Sequence, residues 1–237
     1  MSALLQVEGL VKRFGGVTAV DGVSFGLEAG AVLGLIGPNG SGKTTLLGML
    51  AGTHEPTAGR VLLDGRPAHG RGAHRAVRTG IARTFQTTRL FPGWTLREGL
   101  RLARGEHRGR RGRLGDEEAA ALLGLDGLLD RPCGSLTSAA QRLAMIALAL
   151  ATGPRVLLLD EPAVGMDDEE AGALAAAVRR VAAELRAAVI VVDHNMHFLM
   201  PLADTVTVLA AGAVLATGTP QQIRADEAVI ASYLGEA

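Results

Sequence analysis

Residues 37–44 match the pattern G-x-x-x-x-G-K-[ST], whose residue types suit the binding of phosphate. Glycines at this spacing let successive backbone N–H groups curl around an anion, and the start of a following helix adds positive partial charge. The Lys43 ammonium would reach the β- and γ-phosphates of a nucleoside triphosphate, and the Thr44 hydroxyl would hold Mg²⁺. A glycine-rich turn without a ligand is the alternative. We predict that a nucleotide contacts Gly37, Pro38, Asn39, Gly40, Ser41, Gly42, Lys43, Thr44 and Thr45.

An apolar run at residues 156–159 ends in two acids, Asp160 and Glu161, followed by Pro162. Phosphoryl transfer requires a metal ion that neutralises charge and a group that orients the attacking water. Asp160 suits the Mg²⁺ shell together with Thr44, and Glu161 suits the base that polarises the water. An ordinary turn at a strand end is the alternative, and the neighbouring phosphate loop weighs against it.

Two further side chains could complete such a site. His194 follows the apolar run 189–192 and the acid Asp193. A lone histidine is more often structural or on the surface, but at this strand end it could contact the γ-phosphate or the water. Gln86 ends the sequence R-T-F-Q after Ile81, and its amide could ligate Mg²⁺ or hold the water. A loop residue without a role is the alternative for Gln86.

Apolar runs that alternate with helical patterns predict the elements that must position these groups. They indicate a mostly parallel sheet covered by helices on both faces, with ligands at the carboxyl ends of the strands. Strands are predicted at residues 4–7, 17–27, 32–36, 59–64, 156–159, 189–192, 205–209 and 213–217. Helices are predicted from the phosphate loop to about 51, at 116–129, 138–151 and 169–188, and from Pro220. Asp167 or Asp168 would cap the helix at 169–188, and residues 70–115 show little periodicity.

The composition argues against several classes of protein. The formal net charge is zero and aromatic residues make up 3% of the chain, so no nucleic-acid partner is expected. Cys133 is the only cysteine, which rules out a disulfide within the chain and suits a reducing compartment. The apolar stretch around residues 143–151 is far shorter than the roughly 20 residues that span a bilayer, and no signal segment begins the chain. We expect a large α/β domain that is soluble and cytoplasmic, and a membrane partner remains open.

Together these motifs resemble the ATP-binding subunit of an ABC transporter over essentially the whole chain. The phosphate loop, Gln86, the acids Asp160 and Glu161, and His194 occur in the order and approximate spacing of that family. This order is far more specific than any single motif. The chain resembles especially the subunits that serve branched-chain amino acid importers. The local matches are R-T-F-Q at 83–86 with R-L-F at 89–91, E-P-A-V-G-M at 161–166, and S-Y-L-G-E-A at 232–237.

The resemblance implies an α/β fold with a P-loop NTPase core built on a mostly parallel sheet, an antiparallel β subdomain and a small helical subdomain. It implies one ATP-binding domain over residues 1–237, with the core at about 1–86 and 152–237 and the helical subdomain at about 87–151. ATP and Mg²⁺ are the implied cofactors. The implied partners are a second ATP-binding subunit, integral membrane permease subunits and, indirectly, a solute-binding protein. The chain would then lie at the cytoplasmic face of the cell membrane.

The resemblance also assigns roles to individual positions. Phe14 occupies the position of the aromatic residue that stacks on adenine, where the family usually has tyrosine, and packing in the core is its alternative. Asp167 lies in the loop that crosses to the partner subunit. Gln86 matches the lid loop that senses both the γ-phosphate and the membrane subunit. His194 matches the switch histidine.

The chain departs from the family at its signature loop, which usually reads L-S-G-G-Q. The equivalent here is L-T-S-A-A at 136–140, with Thr137, Ser138 and Ala139 facing the partner's site; a shift of one residue would give S-A-A-Q at 138–141 instead. The missing glycines leave β-carbons where backbone must approach the γ-phosphate bound by the opposite subunit. A heterodimer is therefore favoured over a homodimer, because self-pairing would carry the defect into both sites.

Two other features leave alternatives open. The Arg- and Gly-rich stretch at 101–113 is expected to be a solvated loop, and contact with anionic lipid headgroups is the weaker possibility. The competing functions are a soluble ABC-type ATPase acting on DNA or ribosomes, a small-molecule P-loop kinase, and a regulatory cassette that binds ATP but hydrolyses it weakly. The transported substrate does not follow from the sequence, since selectivity in importers lies in other subunits.

Overall fold

The computed structural model describes residues 3–68, 72–84, 90–105 and 114–234. The strands are β1 Leu5–Phe14, β2 Val17–Leu27, β3 Val32–Ile36, β4 Ala58–Leu63, β5 Arg66–Pro67, β6 Ile81–Arg83, β7 Val156–Asp160, β8 Ala188–Val192, β9 Thr205–Ala210 and β10 Ala213–Gly218. The helices are α1 Lys43–Leu50, α2 Ala73–Thr79, α3 Leu96–Gly105, α4 Asp116–Leu122, α5 Ser138–Ala151, α6 Asp168–Leu185, α7 Met196–Leu202, α8 Pro220–Ala225 and α9 Glu227–Leu234. Within these residues, no helix combines the length and the apolar character that spanning a bilayer requires.

The central sheet has the strand order β10-β9-β3-β8-β7-β6. Its strands pair in parallel from β9 to β6, and β10 alone pairs antiparallel, with β9. Every residue of β3, β7 and β8 is buried, as continuous apolar runs predict for strands covered on both faces. The mostly parallel sheet predicted from the sequence is confirmed. Because β3, β8 and β7 are neighbours, the residues that follow their carboxyl ends lie along one edge.

A second, antiparallel sheet has the order β2-β1-β4-β5. Its buried side chains, among them Leu5 and Val7 of β1, join one apolar cluster with Leu33 and Leu35 of β3 and with Leu46 of α1. The two sheets therefore clamp α1 between them. The antiparallel β subdomain that the resemblance implied is confirmed.

Helices α3, α4 and α5 lie in the connection between β6 and β7. Leu96 and Leu100 of α3 and Leu150 of α5 are buried in one apolar cluster with side chains of β7 and β8. Charged groups also join α3 to its surroundings, since the Arg97 guanidinium donates to Asp130 at 2.7 Å and to Glu117 at 2.6 Å. The limits predicted for a helical subdomain, about 87–151, enclose these helices and stay a prediction.

Several element boundaries differ from the sequence prediction. Residues 70–115, expected to be irregular, contain α2, β6 and α3. The helix predicted over 116–129 ends at Leu122, because Gly124 has a left-handed φ of 69° and a short 3₁₀ turn follows at Asp126–Leu128. The helix predicted over 169–188 ends at Leu185, where Arg186 turns into the left-handed region and β8 begins two residues later. The strand predicted at 4–7 continues to Phe14 through irregular pairing with β2.

Candidate nucleotide-binding site

The phosphate loop is a tight turn between β3 and α1 that only glycine can form at two positions. Gly37, Gly40 and Gly42 have φ values of 149°, 77° and 100°. A β-carbon at Gly37 would approach the Leu209 carbonyl oxygen closer than 3.0 Å, and one at Gly42 would approach the Ala19 carbonyl oxygen as closely. The loop thus combines left-handed backbone with close packing against β9 and β2, which is the geometry that a phosphate-cradling backbone requires.

Helix α1 begins at this loop without a side-chain cap, because its N-cap residue is Gly42. No side chain of the N-cap residue therefore competes with an anion at this helix start, where the helix dipole adds positive partial charge. The Lys43 ammonium folds back over the loop and donates to the carbonyl oxygens of Gly37 at 2.7 Å and Pro38 at 2.8 Å. Ser41 is buried and its carbonyl accepts from Gly212 N–H in the β9–β10 turn, whereas the Thr44 side chain is exposed.

The two acids end β7 in different environments. The Asp160 carboxyl is 6% exposed, and its Oδ2 accepts a 2.6 Å hydrogen bond from Arg83 Nη2 at the end of β6. Glu161 adopts a left-handed φ of 48° while its N–H donates to the Val192 carbonyl at 2.7 Å. A non-glycine residue held in this region costs about 1–3 kcal/mol and is characteristic of functional sites. The backbone therefore leaves the extended conformation of the buried strand β7 at Glu161.

The Asp193 side chain connects the turn that follows β7 to the turn that follows β8. Its side chain is 1% exposed, Oδ2 accepts from Ala163 N–H at 3.0 Å, and Oδ1 accepts from Asn195 N–H at 2.9 Å. The carboxylate therefore links the turn after Glu161 to the turn that carries the exposed His194. A buried carboxylate that accepts two backbone hydrogen bonds fixes the relative position of both turns.

The Phe14 side chain lies at the surface, with 46% of its area exposed at the end of β1. Its ring makes an edge contact with His54, with centroids 5.7 Å apart, and the Lys12 ammonium lies 4.9 Å from its centroid. The alternative that Phe14 packs in the core is therefore wrong. An exposed aromatic face beside a cation is available to stack on a base.

The donor set at the sheet edge suits Mg²⁺ bound with a nucleotide. Among the described residues, no group of three or more His, Cys, Asp or Glu side chains could hold a metal by itself. Mg²⁺ in phosphate sites instead takes one or two protein oxygens, with phosphates and waters as its other ligands. The Thr44 hydroxyl in the first turn of α1 and the buried Asp160 carboxylate at the end of β7 provide oxygens of this kind.

Comparison with known proteins identifies the family. A family model described as ABC transporter matches residues 20–164, and one described as branched-chain amino acid ATP-binding cassette transporter matches residues 213–237. The high-affinity branched-chain amino acid transport ATP-binding protein BraF of Pseudomonas aeruginosa is 39% identical over 99% of this chain and 98% of its own length. This chain belongs to the ABC transporter family. LivG of Escherichia coli, described in the same words, is 36% identical over 99% and 98% of the two chains.

Solved structures of ABC cassettes have the same fold. The ADP conformation of an ATP-binding cassette of an ABC transporter aligns with a TM-score of 0.87 at 28% identity and covers 99% of both chains. The cbiO1 protein from Clostridium perfringens, part of the transporter complex cbiONQ, aligns with a TM-score of 0.83 at 26% identity and covers 100% of both. The predictions of an ABC ATPase fold and of an ATP-binding, ATP-hydrolysing transport subunit are confirmed.

The divergent signature loop of this ABC cassette leads directly into α5. Thr137 is the N-cap, and its hydroxyl oxygen accepts from Ala140 N–H at 3.2 Å. The Gln141 amide donates to the carbonyl oxygens of Cys133 and Leu136, which holds the preceding turn in place. Ser138 and Ala139 form the first turn of α5. They therefore lie in the helical segment, which comprises α3, α4 and α5 between β6 and β7, and not at the edge of the sheet.

The remaining predicted positions of the cassette differ in what the structure describes. Asp167 rather than Asp168 caps α6, and it forms a reciprocal capping box with Glu170. Gln86 lies outside the described residues, as do residues 106–113 of the Arg- and Gly-rich stretch. Residues 101–105 of that stretch belong to α3, so the prediction of a loop is wrong there. Arg83 and Asp193 were missing from the predicted site. The signal for Asp193 was an acid directly after a buried strand, and Arg83 opens the R-T-F-Q sequence.

Proposed function

We propose that this ATPase powers the import of branched-chain amino acids or a related small solute. The observation that carries the proposal is the placement of the phosphate loop, the Asp160–Glu161 turn and His194 at the ends of three neighbouring strands. The substrate class rests on the relatives BraF and LivG and on the match of residues 213–237 to the branched-chain amino acid cassette model. A position at the cytoplasmic face of the cell membrane follows from this function.

Each group at the sheet edge has a proposed role. The backbone of residues 37–45 and the Lys43 ammonium bind the phosphates, and the Phe14 ring stacks on adenine. Thr44, Asp160 and Gln86 hold Mg²⁺, which supplies charge neutralisation when it is bound.

Glu161 and His194 are proposed to act on the attacking water. The Glu161 carboxylate accepts a hydrogen bond from the water and orients it toward the γ-phosphate, and His194 contacts the γ-phosphate or the same water. Asp193 is proposed as a positioning residue, because its two carboxylate oxygens accept backbone N–H groups of both turns.

We infer that the site is completed by a second, different ATP-binding subunit. Thr137, Ser138 and Ala139 would face the partner's nucleotide, and the loop capped by Asp167 would cross to the partner. Because Ser138 and Ala139 carry side chains where the family has glycines, the partner's site would be weakened and this chain's own site would use an intact loop from the partner. The same observation supports a second candidate, a regulatory cassette that binds ATP but turns it over slowly.

An apolar groove on the helical segment is the proposed docking surface for a permease subunit. Its volume is about 270 Å³, and it is lined by Leu90, Phe91, Trp94, Leu102 and Leu148 among others. Phe91 is 58% exposed and Trp94 is 40% exposed, with ring centroids 4.9 Å apart. Exposed aromatic side chains that line a groove are characteristic of interaction surfaces. The resemblance to the family implies that this helical subdomain contacts the membrane subunit.

Reconstitution into vesicles tests the proposal. The chain, a candidate partner cassette and candidate permease subunits are combined, and ATP-dependent uptake of leucine, isoleucine and valine is measured with a matching binding protein. Uptake is expected with the wild-type chain, whereas Glu161→Gln should retain ATP binding and lose hydrolysis by about 10²–10³-fold. Hydrolysis by Glu161→Gln at the wild-type rate would contradict the role of Glu161. ATP-driven uptake of another solute class alone would contradict the substrate.

A further inference from the structure

Arg83 and Asp160 form an ion pair beside the proposed metal site. The two side chains are 13% and 6% exposed, and Arg83 Nη2 lies 2.6 Å from Asp160 Oδ2. Parallel pairing of β6 with β7 sets Arg83 opposite Leu158, so its side chain reaches along the neighbouring strand to the carboxyl at the strand end. Within the described part of the chain, Arg83 is the only cation paired with Asp160.

The ion pair is incompletely satisfied on the arginine side. Arg83 Nε is buried and has no hydrogen-bond partner among the described residues. Arg83 instead contacts Asp160 through the charge-assisted hydrogen bond from Nη2. The guanidinium therefore places a positive charge directly against a buried carboxylate. A buried carboxylate without a cation or hydrogen-bond donors carries a large desolvation cost.

We propose that Arg83 is a positioning residue that neutralises Asp160 until a divalent cation arrives together with nucleotide. This inference rests on the proposed assignment of Asp160 to Mg²⁺. With Arg83 present, the carboxylate is already compensated, so Mg²⁺ alone would add excess positive charge to a poorly solvated site. Triphosphate brings several negative charges, and the same carboxylate can then serve Arg83 through Oδ2 and the metal through its other oxygen. Metal binding is thereby made conditional on nucleotide.

Thermal unfolding with MgCl₂ as the sole ligand tests this directly. The full chain is titrated with MgCl₂ at constant ionic strength and without nucleotide. The wild type should shift its melting temperature by less than about 1 °C, whereas Arg83→Met should be stabilised by about 3–6 °C, the effect of a ligand at about ten times its dissociation constant. Loss of packing alone would lower the melting temperature of Arg83→Met without creating a response to Mg²⁺.

Two variants act as controls for charge. Arg83→Lys keeps the cation and should respond to Mg²⁺ as the wild type does. Arg83→Met combined with Asp160→Asn removes both charges, so it should recover stability and show no response. If Arg83→Met does not fold by itself, MgCl₂ during refolding or the added Asp160→Asn change should recover it. Equal Mg²⁺ shifts in Arg83→Met and wild type, or recovery by neither route, would overturn the proposal.

Asp160→Asn alone separates this inference from the proposed function. It is assayed for the Mg²⁺ dependence of ATP binding. An unchanged dependence would show that Asp160 does not serve the metal, and the assignment under the proposed function would be wrong. A lost dependence together with no Mg²⁺ response in Arg83→Met would leave that assignment standing and refute the role of Arg83.

Discussion

The phosphate loop and the turn before α5 both lead into a helix, but they treat the first N–H groups of that helix differently. Helix α1 follows Gly42 and has no side-chain cap, so no N-cap side chain competes with an anion at its start. Helix α5 follows Thr137, whose hydroxyl already accepts from Ala140 N–H. One helix start is built to receive a ligand, while the other satisfies part of its own hydrogen bonding. The chain thus brings a complete phosphate loop and an altered signature loop to the same assembly.

The largest effect on the phosphate loop is expected from a substitution at Gly42. Gly42→Ala would place a β-carbon against the Ala19 carbonyl and force a left-handed φ on alanine, at a cost of about 2–5 kcal/mol. ATP affinity should fall at least about 100-fold, because the loop and the start of α1 must move together. Titration calorimetry with ATP and Mg²⁺ measures the affinity, and thermal unfolding measures the stability.

Gly40→Ala is the matched control for that change. Gly40 also has a left-handed φ, of 77°, but a β-carbon there meets nothing within 4 Å. Only the conformational cost of about 1–2 kcal/mol applies, so ATP affinity should fall by about tenfold or less. Equal losses in the two variants would mean that close packing against β2 does not determine the shape of the loop.

The phosphate loop was predictable because its information is local. Five buried residues and a glycine pattern identify a strand, a turn and a helix start within 20 residues of sequence. The pair Arg83–Asp160 spans 77 positions and the bond from Ala163 to Asp193 spans 30. Such partners become neighbours only through sheet pairing, so reasoning from local patterns could not find them. The end of α6 was missed for a different reason, since Arg186 adopts a left-handed φ without being glycine.

Restoring glycines to the signature loop tests whether its β-carbons limit ATP hydrolysis. Ser138→Gly with Ala139→Gly removes the two β-carbons that the family lacks, so a self-paired chain should hydrolyse ATP about tenfold faster. The measurement is phosphate release by the chain alone and by an equal mixture with a candidate partner cassette. The mixture should be faster than the wild-type chain alone, because the partner supplies an intact loop to this chain's site.

Glycine in the first turn of α5 also weakens the helix, which requires its own control. Ala173→Gly with Ala176→Gly places two glycines at exposed positions of α6, where each costs about 1 kcal/mol of stability as in any helix. This variant should hydrolyse ATP at the wild-type rate. If Ser138→Gly with Ala139→Gly also stays at the wild-type rate, the altered loop does not limit turnover. The preference for a heterodimer would then lose its physical basis.

In the helical segment, Arg97 forms ion pairs with the exposed side chains of Glu117 and Asp130. Removing these ion pairs is expected to change stability only slightly, which is the smallest effect predicted here. Hydrogen bonds from Arg97 lower the pKa of Asp130 and of Glu117 below their ordinary values of 3.8 and 4.5. A lowered carboxyl pKa contributes stability that is present above the ordinary pKa and is lost as pH falls through the folded-state value. Arg97→Met should therefore melt a few degrees below wild type at pH 7, and the difference should shrink below about pH 4.5. A difference that stays constant down to pH 3 would assign the effect to lost packing of the Arg97 side chain rather than to charge.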